Sequence, residues 1–247
     1  MKYMGSKAKI AKEILPLILK NCSKERTYVE PFCGGLNSIC LAEHDKKIAN
    51  DINPFLIAMW QYLKNYKGQF LPLYITKDLY SEWRNYYNQE KKKGLKLDYD
   101  NFVSYALCGW VGFMGSFNGR FYDGGYSGHD VNGRDYITEQ INNTLSQLPY
   151  LDNIEFHCGT YYDIVIPDNS IIYCDIPYKN TKQYNLSMNF DYDRFYKWCH
   201  EMKEKGHEVF ISEYEMPSEF KCIWQKEVTV ALNQKITKKP VEKLFTL

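Results

Sequence analysis

A strand-like run, Ser170-Ile171-Ile172-Tyr173-Cys174, ends in Asp175-Ile176-Pro177-Tyr178. An acid, a rigid backbone corner and an aromatic ring at the lip of a sheet are the groups needed to work on the exocyclic amine of a flat base. Such an amine is a poor nucleophile because its lone pair is delocalised into the ring. A catalyst must therefore accept its hydrogen bonds and return the nitrogen to a pyramidal shape. Asp175 can supply one acceptor and the Ile176 carbonyl another. Tyr178 offers a face on which a base extruded from a duplex can stack. The same four residues also fit a buried strand leaving through an ordinary Asp/Pro turn.

A second constellation lies upstream. Tyr28-Val29-Glu30-Pro31-Phe32-Cys33-Gly34-Gly35 reads as a short strand running into a glycine turn, and Leu36 to Glu43 then reads as a helix. Paired glycines let backbone approach a ligand closely, and a helix start presents unpaired N–H groups. Lys47-Ile48-Ala49-Asn50-Asp51 reads as a second strand ending in an acid, roughly 20 residues on, the offset at which nucleotide folds place a carboxylate on a ribose, with Ile52 beside it also expected to line the cofactor. The dinucleotide fingerprint with three spaced glycines is absent. A methionine-linked nucleoside has no pyrophosphate to cradle, so that absence favours S-adenosylmethionine over a nicotinamide dinucleotide. A plain strand-turn-helix corner fits the same residues.

A third element, Lys2-Tyr3-Met4-Gly5-Ser6-Lys7, opens the chain. With Tyr3-x-x-x-Lys7, Glu30-Pro31-Phe32-Cys33-Gly34-Gly35, Asp51 and Asp175-Ile176-Pro177-Tyr178 in that order, the chain resembles the Dam-like, alpha-group DNA adenine-N6 methyltransferases, particularly those of phages and prophages. The similarity continues through Val209-Phe210-Ile211-Ser212-Glu213-Tyr214 to Glu242-Lys243-Leu244-Phe245. The resemblance implies that Tyr3 and Lys7 line the methionine end of S-adenosylmethionine, that Asp51 holds its ribose, and that Asp175 touches both cofactor and target. It also implies an aromatic shortly before the catalytic acid, against the cofactor adenine; Tyr161 fits, with Asp163 just after it. The family tetrad normally has proline where Ile176 stands. Isoleucine restores a backbone N–H and removes a ring, but the carbonyl survives and Pro177 still biases Ile176 toward extended backbone. Two rival readings remain open at this stage: transfer to a cytosine amine or an RNA base, whose tetrads more often begin with serine or asparagine, and a non-catalytic nucleic-acid-binding relic.

The elements that would position these groups alternate as in an α/β chain: a Rossmann-like, mostly parallel methyltransferase sheet with an antiparallel C-terminal edge and an inserted helical target-recognition lobe. Residues 1–54 and 149–247 are expected to form the catalytic, cofactor-binding domain. Residues 55–148, rich in Tyr and Trp, are expected to form the insertion, with helices over Phe55 to Tyr66, Lys77 to Lys93 and Asn101 to Val111. Inside it, residues 113–128 break helical periodicity, and Asn118-Gly119 is a hairpin signal. Dam-like enzymes read their target with such a hairpin, so Arg120 is the candidate for a guanine edge and Asn118 for an adenine or a phosphate. Lys179, directly after the tetrad, is placed with them as a DNA contact. Ser6 is the expected cap of a helix to about Leu15 broken at Pro16, and Asp191 to Lys205 reads as a helix closed by Gly206.

The net charge of +1 is unevenly spread: the first 27 residues carry seven Lys/Arg against two Glu, the last 27 six Lys against two Glu, and the 193 residues between them sum to −8. Both ends are therefore expected near phosphates of double-stranded DNA, bound as a monomer or a weak dimer. Eight scattered cysteines without a Cys-x-x-Cys pair read as reduced core residues, and five histidines form no cluster with metal spacing, so no metal is expected. The start is charged and no segment is long enough to span a bilayer, which points to the cytoplasm of a bacterium or a phage-infected host.

Overall fold

Short runs of mostly buried residues make β1 (Tyr28–Glu30), β2 (Lys47–Asp51), β4 (Ile171–Asp175) and β5 (Glu208–Glu213), and β3 (Ile154–Cys158) is a half-buried edge strand. With β6 (Lys221–Glu227) and β7 (Val241–Thr246) they form one seven-stranded sheet in the order β3-β2-β1-β4-β5-β7-β6. The computed structural model describes residues 1–20, 22–128, 133–179, 190–228 and 240–247. β3, β2, β1, β4 and β5 run parallel, β7 runs antiparallel to β5, and β6 antiparallel to β7. The mostly parallel sheet with an antiparallel C-terminal edge is thus the one expected from sequence. Nearly all of the basic loop expected from Asn233 to Pro240 lies outside the described residues.

Helices cover both faces. On one side lie α1 (Ala11–Ile18), α2 (Pro54–Tyr66) and α4 (Phe102–Gly115), in a core that includes Ile14, Phe55, Trp60 and Trp110. On the other, α6 (Tyr192–Glu204) contributes Phe195, Trp198, Cys199 and Met202 against Val29, Ile48, Ile172 and Ile211. α3 (Lys77–Lys93) and α5 (Tyr136–Leu145) complete the set. Side chains cap four helix starts: Asn53, Thr76, Asp135 and Asp191 each accept from free N–H groups of the first turn.

Two local expectations are corrected. The first helix begins at Ala11 with no side-chain cap and continues through Pro16, because Ala11, Ile14, Leu15 and Ile18 form a buried stripe that spans the proline; Ser6 instead accepts from Ala8 N and Asn37 Nδ2. The stretch from Leu36 to Glu43 forms only a 3-10 turn, Ile39–Leu41, because Leu36 itself sits at φ 55°, which an α-helix cannot include.

The helical segment after β2 is seated on the sheet through α2. Lys64 Nζ donates to the Ile154 carbonyl at 2.7 Å and Trp60 Nε1 to the Gly34 carbonyl at 3.1 Å. α4 crosses α2 so closely that a Cβ on Gly109 would lie 2.9 Å from the Phe55 carbonyl carbon and 3.1 Å from Met59 Cβ. α4 also runs on to Gly115, since Phe113 and Met114 are buried, so the expected hairpin starts later. Asn118 and Gly119 adopt the positive φ values of an Asn-Gly turn, 54° and 65°. They do not join two regular strands: a single bridge, Ser116 to Tyr126, closes the loop, flanked by Phe117 N to Gly125 O and Ser127 N to Gly115 O, both 2.9 Å.

Gly109→Ala should improve intrinsic helix propensity and still destabilise the protein, by about 1–3 kcal/mol, because overpacking at the α2–α4 crossing outweighs the gain. Urea unfolding reads the sign directly; an unchanged or raised midpoint would mean that the helices part without cost.

Candidate active site

Strand order fixes where a ligand can enter. From β1 the chain steps outward to β2 and β3 on one side, while β4 and β5 extend the sheet on the other. The reversal between β1 and β4 leaves a crevice outside their carboxyl ends, the usual ligand position in open parallel sheets. β1 ends there in Glu30, β4 in Asp175, β2 in Asp51 and β5 in Glu213; β7, running the other way, begins there with Val241-Glu242. Five acids therefore share one edge.

Lys7 is the cation set among them. Its side chain is only 6% exposed, and its Nζ lies 2.8 Å from Asp175 Oδ1, 2.9 Å from the Gly5 carbonyl, which accepts from it, and 3.9 Å from Glu242 Oε2. The same nitrogen stands 4.4 Å from the centre of the Tyr178 ring, a cation–π distance. Tyr178 donates its hydroxyl to Glu242 Oε2 at 2.6 Å and meets Tyr214 edge-on at 4.7 Å. Burial pushes the Asp175 carboxyl up to about 6; Lys7 opposes the rise, and Glu242 and Glu213 add to it. Glu30, buried beneath, is pushed up to about 8 by burial, against hydrogen bonds from Ser38 and Tyr28. The ladder with β5 ends at Asp175–Ser212, so Ile176 leaves the sheet; its side chain is buried in the α6 core. The Pro177 carbonyl accepts from the Tyr192 hydroxyl at 2.9 Å.

The glycine corner sits beside this cluster. Pro31 turns the chain and takes Asn50 Nδ2 on its carbonyl at 3.0 Å, and Gly34 follows at φ 45°. The Tyr3 ring lies over it: a Cβ on Gly34 would meet Tyr3 Cε1 at 2.7 Å, and one on Gly35 would meet Tyr3 Cβ at 2.8 Å. Asp51 accepts from Gly34 N at 3.1 Å on one oxygen and from Asn53 N at 3.0 Å on the other, and burial raises its carboxyl to about 6. The Ile52 N–H also meets this carboxylate, which with about four acceptor sites still has capacity for another donor, and the Ile52 side chain beside it is exposed. Phe32 packs on Tyr161 at 5.4 Å, and the Tyr161 hydroxyl is buried without a hydrogen-bond partner among the described residues. Asp163 caps its own turn, accepting from Thr160 Oγ1 at 2.5 Å.

Lys7, Glu30, Gly34, Gly35, Asp51, Asp175 and Tyr178 are thus brought to one edge with Tyr3. Of the three expected DNA contacts, Asn118 and Arg120 lie in the loop at 116–126, while Lys179 directly follows the tetrad, its N–H bonded to Glu213. Lys179 is exposed, with its ammonium 5.7 Å over the Tyr192 ring, and Asn118 is exposed at its turn. Arg120 does not project: its guanidinium is paired with Asp123 at 2.5 Å, three residues along the same loop. Glu213 and Glu242 went unassigned in the sequence. Glu213 accepts from the backbone N–H groups of Lys179, Tyr214 and Glu215, fixing the chain just past the tetrad to the end of β5. The available signal was an acid at a strand end within Ile211-Ser212-Glu213-Tyr214 and Val241-Glu242, read only as continuity of pattern. Among the described residues, no group of three or more His, Cys, Asp or Glu could hold a metal, and no helix is long and apolar enough to cross a membrane.

Comparison with known proteins gives two findings. The Type II methyltransferase M.FokI of Planomicrobium okeanokoites is 25% identical over 201 residues, a stretch that covers 75% of this chain and 30% of that longer protein. The pattern of the D12 class of N6 adenine-specific DNA methyltransferases matches residues 3–239, from Tyr3 of the opening motif past the tetrad and into the basic tail. With that match covering nearly the whole chain, including Glu30, Asp51, Asp175 and Glu213 of the switch-point edge, the chain belongs to the D12 class N6 adenine-specific DNA methyltransferase family.

Proposed function

We propose that this chain transfers a methyl group from S-adenosylmethionine to the N6 amine of adenine in double-stranded DNA, after the target nucleotide is flipped out of the stack. The observation that carries the reading is the pairing of Asp175 with Lys7 beside Tyr178 at the sheet's switch point, in a chain of this family. A Dam-like origin in a phage or prophage is the finer form of the reading, supported by the order of the motifs from Tyr3 and Lys7 to the tetrad.

The residues at the crevice suit that donor. Lys7 offers an ammonium for a carboxylate and Asp51 offers lone pairs for ribose hydroxyls. Phe32 and Tyr161 offer aromatic faces for an adenine, and Tyr161 has a hydroxyl still to be matched. When bound, the donor supplies an electrophilic methyl group. The chain's own part is to hold the acceptor nitrogen in line and to stabilise the charge that develops on it. The Asp175 carboxylate accepts one amine hydrogen bond and the Ile176 carbonyl the other, which localises the lone pair. No covalent enzyme intermediate is needed: the adjacent Cys174 thiol is buried, and burial raises its pKa well above the ordinary value. In the loop at 116–126, Asn118 and, once released from Asp123, Arg120 are the groups to meet DNA, with Lys179 on the flanking backbone.

Incubation with methyl-labelled S-adenosylmethionine and unmethylated DNA, followed by digestion to nucleosides, should place the label on N6-methyldeoxyadenosine. Label on cytosine, or none, would overturn the reading. Asp175→Asn should lower kcat by about 100-fold or more in a chain that circular dichroism shows to be folded, since one directed polar contact to a developing charge is worth that much. An equally active variant would remove the tetrad from the mechanism. The acceptor must be ionised, so kcat should fall as pH drops through about 6. Stability moves the other way: a carboxyl raised above its unfolded value holds its proton longer in the folded state, so this contribution is largest below about pH 4 and is lost as pH rises to about 6. A pH–rate profile flat between 5 and 7 would exclude Asp175 as that acceptor.

A further inference from the structure

The tetrad is a turn that holds two acceptors and a ring in register, and each of its residues has two soft backbone dihedrals. Asp175 is held by the ladder, opposite Ser212. Pro177 fixes its own φ through its ring and biases the ψ of Ile176. Left without a covalent restraint are φ at Ile176, where no ring stands, ψ at Pro177, and the peptide that leaves Tyr178. Each of these meets a restraint from outside the turn. The Ile176 side chain is 3% exposed, in the apolar cluster that also holds Phe195 and Trp198 of α6. The Pro177 carbonyl accepts from the hydroxyl of Tyr192, the first residue of the same helix, at 2.9 Å. The Lys179 N–H, on the peptide after Tyr178, donates to Glu213 at the end of β5. The peptide plane that carries the Ile176 carbonyl is thus bracketed by a buried side chain on one side and a tethered carbonyl on the other.

We propose that Tyr192 and Glu213 are positioning residues of the transfer step: braces from α6 and β5 that hold the Ile176 carbonyl and the Tyr178 ring in register with Asp175, as a ring at 176 would. The proposal rests on the adenine-methylating reading of the same site and concerns how a turn with one proline keeps its acceptors aimed. Both residues act through the turn and not on the reacting atoms. The Tyr192 ring has packing of its own, edge-on to Phe190 at 5.0 Å and 5.7 Å beneath the Lys179 ammonium, so the hydroxyl can be removed while the ring keeps its place.

In the full chain, Tyr192→Phe should lower kcat about tenfold, less than the loss a misplacement of about 1 Å can bring. The dissociation constant for S-adenosylmethionine should stay within about twofold. Wild-type kcat would overturn the brace, and so would a parallel loss of cofactor affinity, the mark of a general loosening of the site. A cycle with Ile176→Pro tests the mechanism itself. Proline restrains the same peptide plane from its other side, so Ile176→Pro should multiply kcat by at least about threefold more in the Tyr192→Phe background than in the wild-type chain. Equal factors in both backgrounds mean independent sites and reject the proposal. A third measurement needs no catalysis. In amide hydrogen exchange followed by NMR, the Lys179 N–H should exchange about tenfold faster in Glu213→Gln and also in Tyr192→Phe, where the deleted hydroxyl belongs to a bond two residues away, on Pro177. Unchanged Lys179 exchange in Tyr192→Phe rejects the brace, and it decides the matter also where Ile176→Pro does not fold. If the wild-type chain transfers no label to DNA, the methylation reading fails on its own, and the exchange rates still decide whether Tyr192 restrains the turn.

Discussion

The contact between Lys7 and Asp175 governs this structure. Five carboxyl groups converge on one edge of a sheet, and burial there disfavours the ionised forms of three of them: Asp51 and Asp175 are raised to about 6 and Glu30 to about 8. The nearly buried Lys7 ammonium is the compensation for Asp175, while Asp51 is met by backbone N–H groups and Glu30 by Ser38 and Tyr28. The ammonium arrives from the opening segment of the chain, which must therefore thread across the glycine corner. Tyr3 fills the space above Gly34 and Gly35 on the way. Side chains on Gly34 and Gly35 would lift that segment and draw the ammonium away from the acids.

The cluster trades stability for chemistry. A carboxyl held near 6 serves as an acceptor at neutral pH, yet its folded environment is one in which the charge is poorly solvated. The rest of the fold supports this with ordinary means: two apolar cores on either face of the sheet, capped helices, and a close crossing of α2 and α4 that only glycine permits. The Glu213 carboxylate accepts from three backbone N–H groups, and the one from Lys179 pins the chain just past the tetrad.

Much of this was legible in the sequence. β4 and β5 announce themselves because residues buried on both faces leave apolar runs, Ile171 to Cys174 and Val209 to Ile211, and the acid that ends the first, Asp175, marks the carboxyl edge. Asn118-Gly119 gave its turn for a local reason, the left-handed backbone that those residues tolerate. What was not legible depends on partners distant in the chain. Glu242 reaches the site only because its strand runs backwards, a fact of topology. Leu36 looked helical by pattern, but the tight corner left it at positive φ. Arg120 looked like a projecting probe because pairing with Asp123 is settled by loop conformation, not by composition.

The Asn-Gly turn has one more property. Gly119 rests so closely on the backbone of Lys2 that a methyl group there would overlap the Lys2 carbonyl, and Gln140 grips that same residue at both its amide and its carbonyl, each at 2.9 Å. Five residues later the same ribbon delivers the ammonium to Asp175. The tip that faces outward and the charge that faces inward are thus two ends of one short tether, so a push on the tip has a mechanical route to the reactive centre that bypasses the sheet entirely.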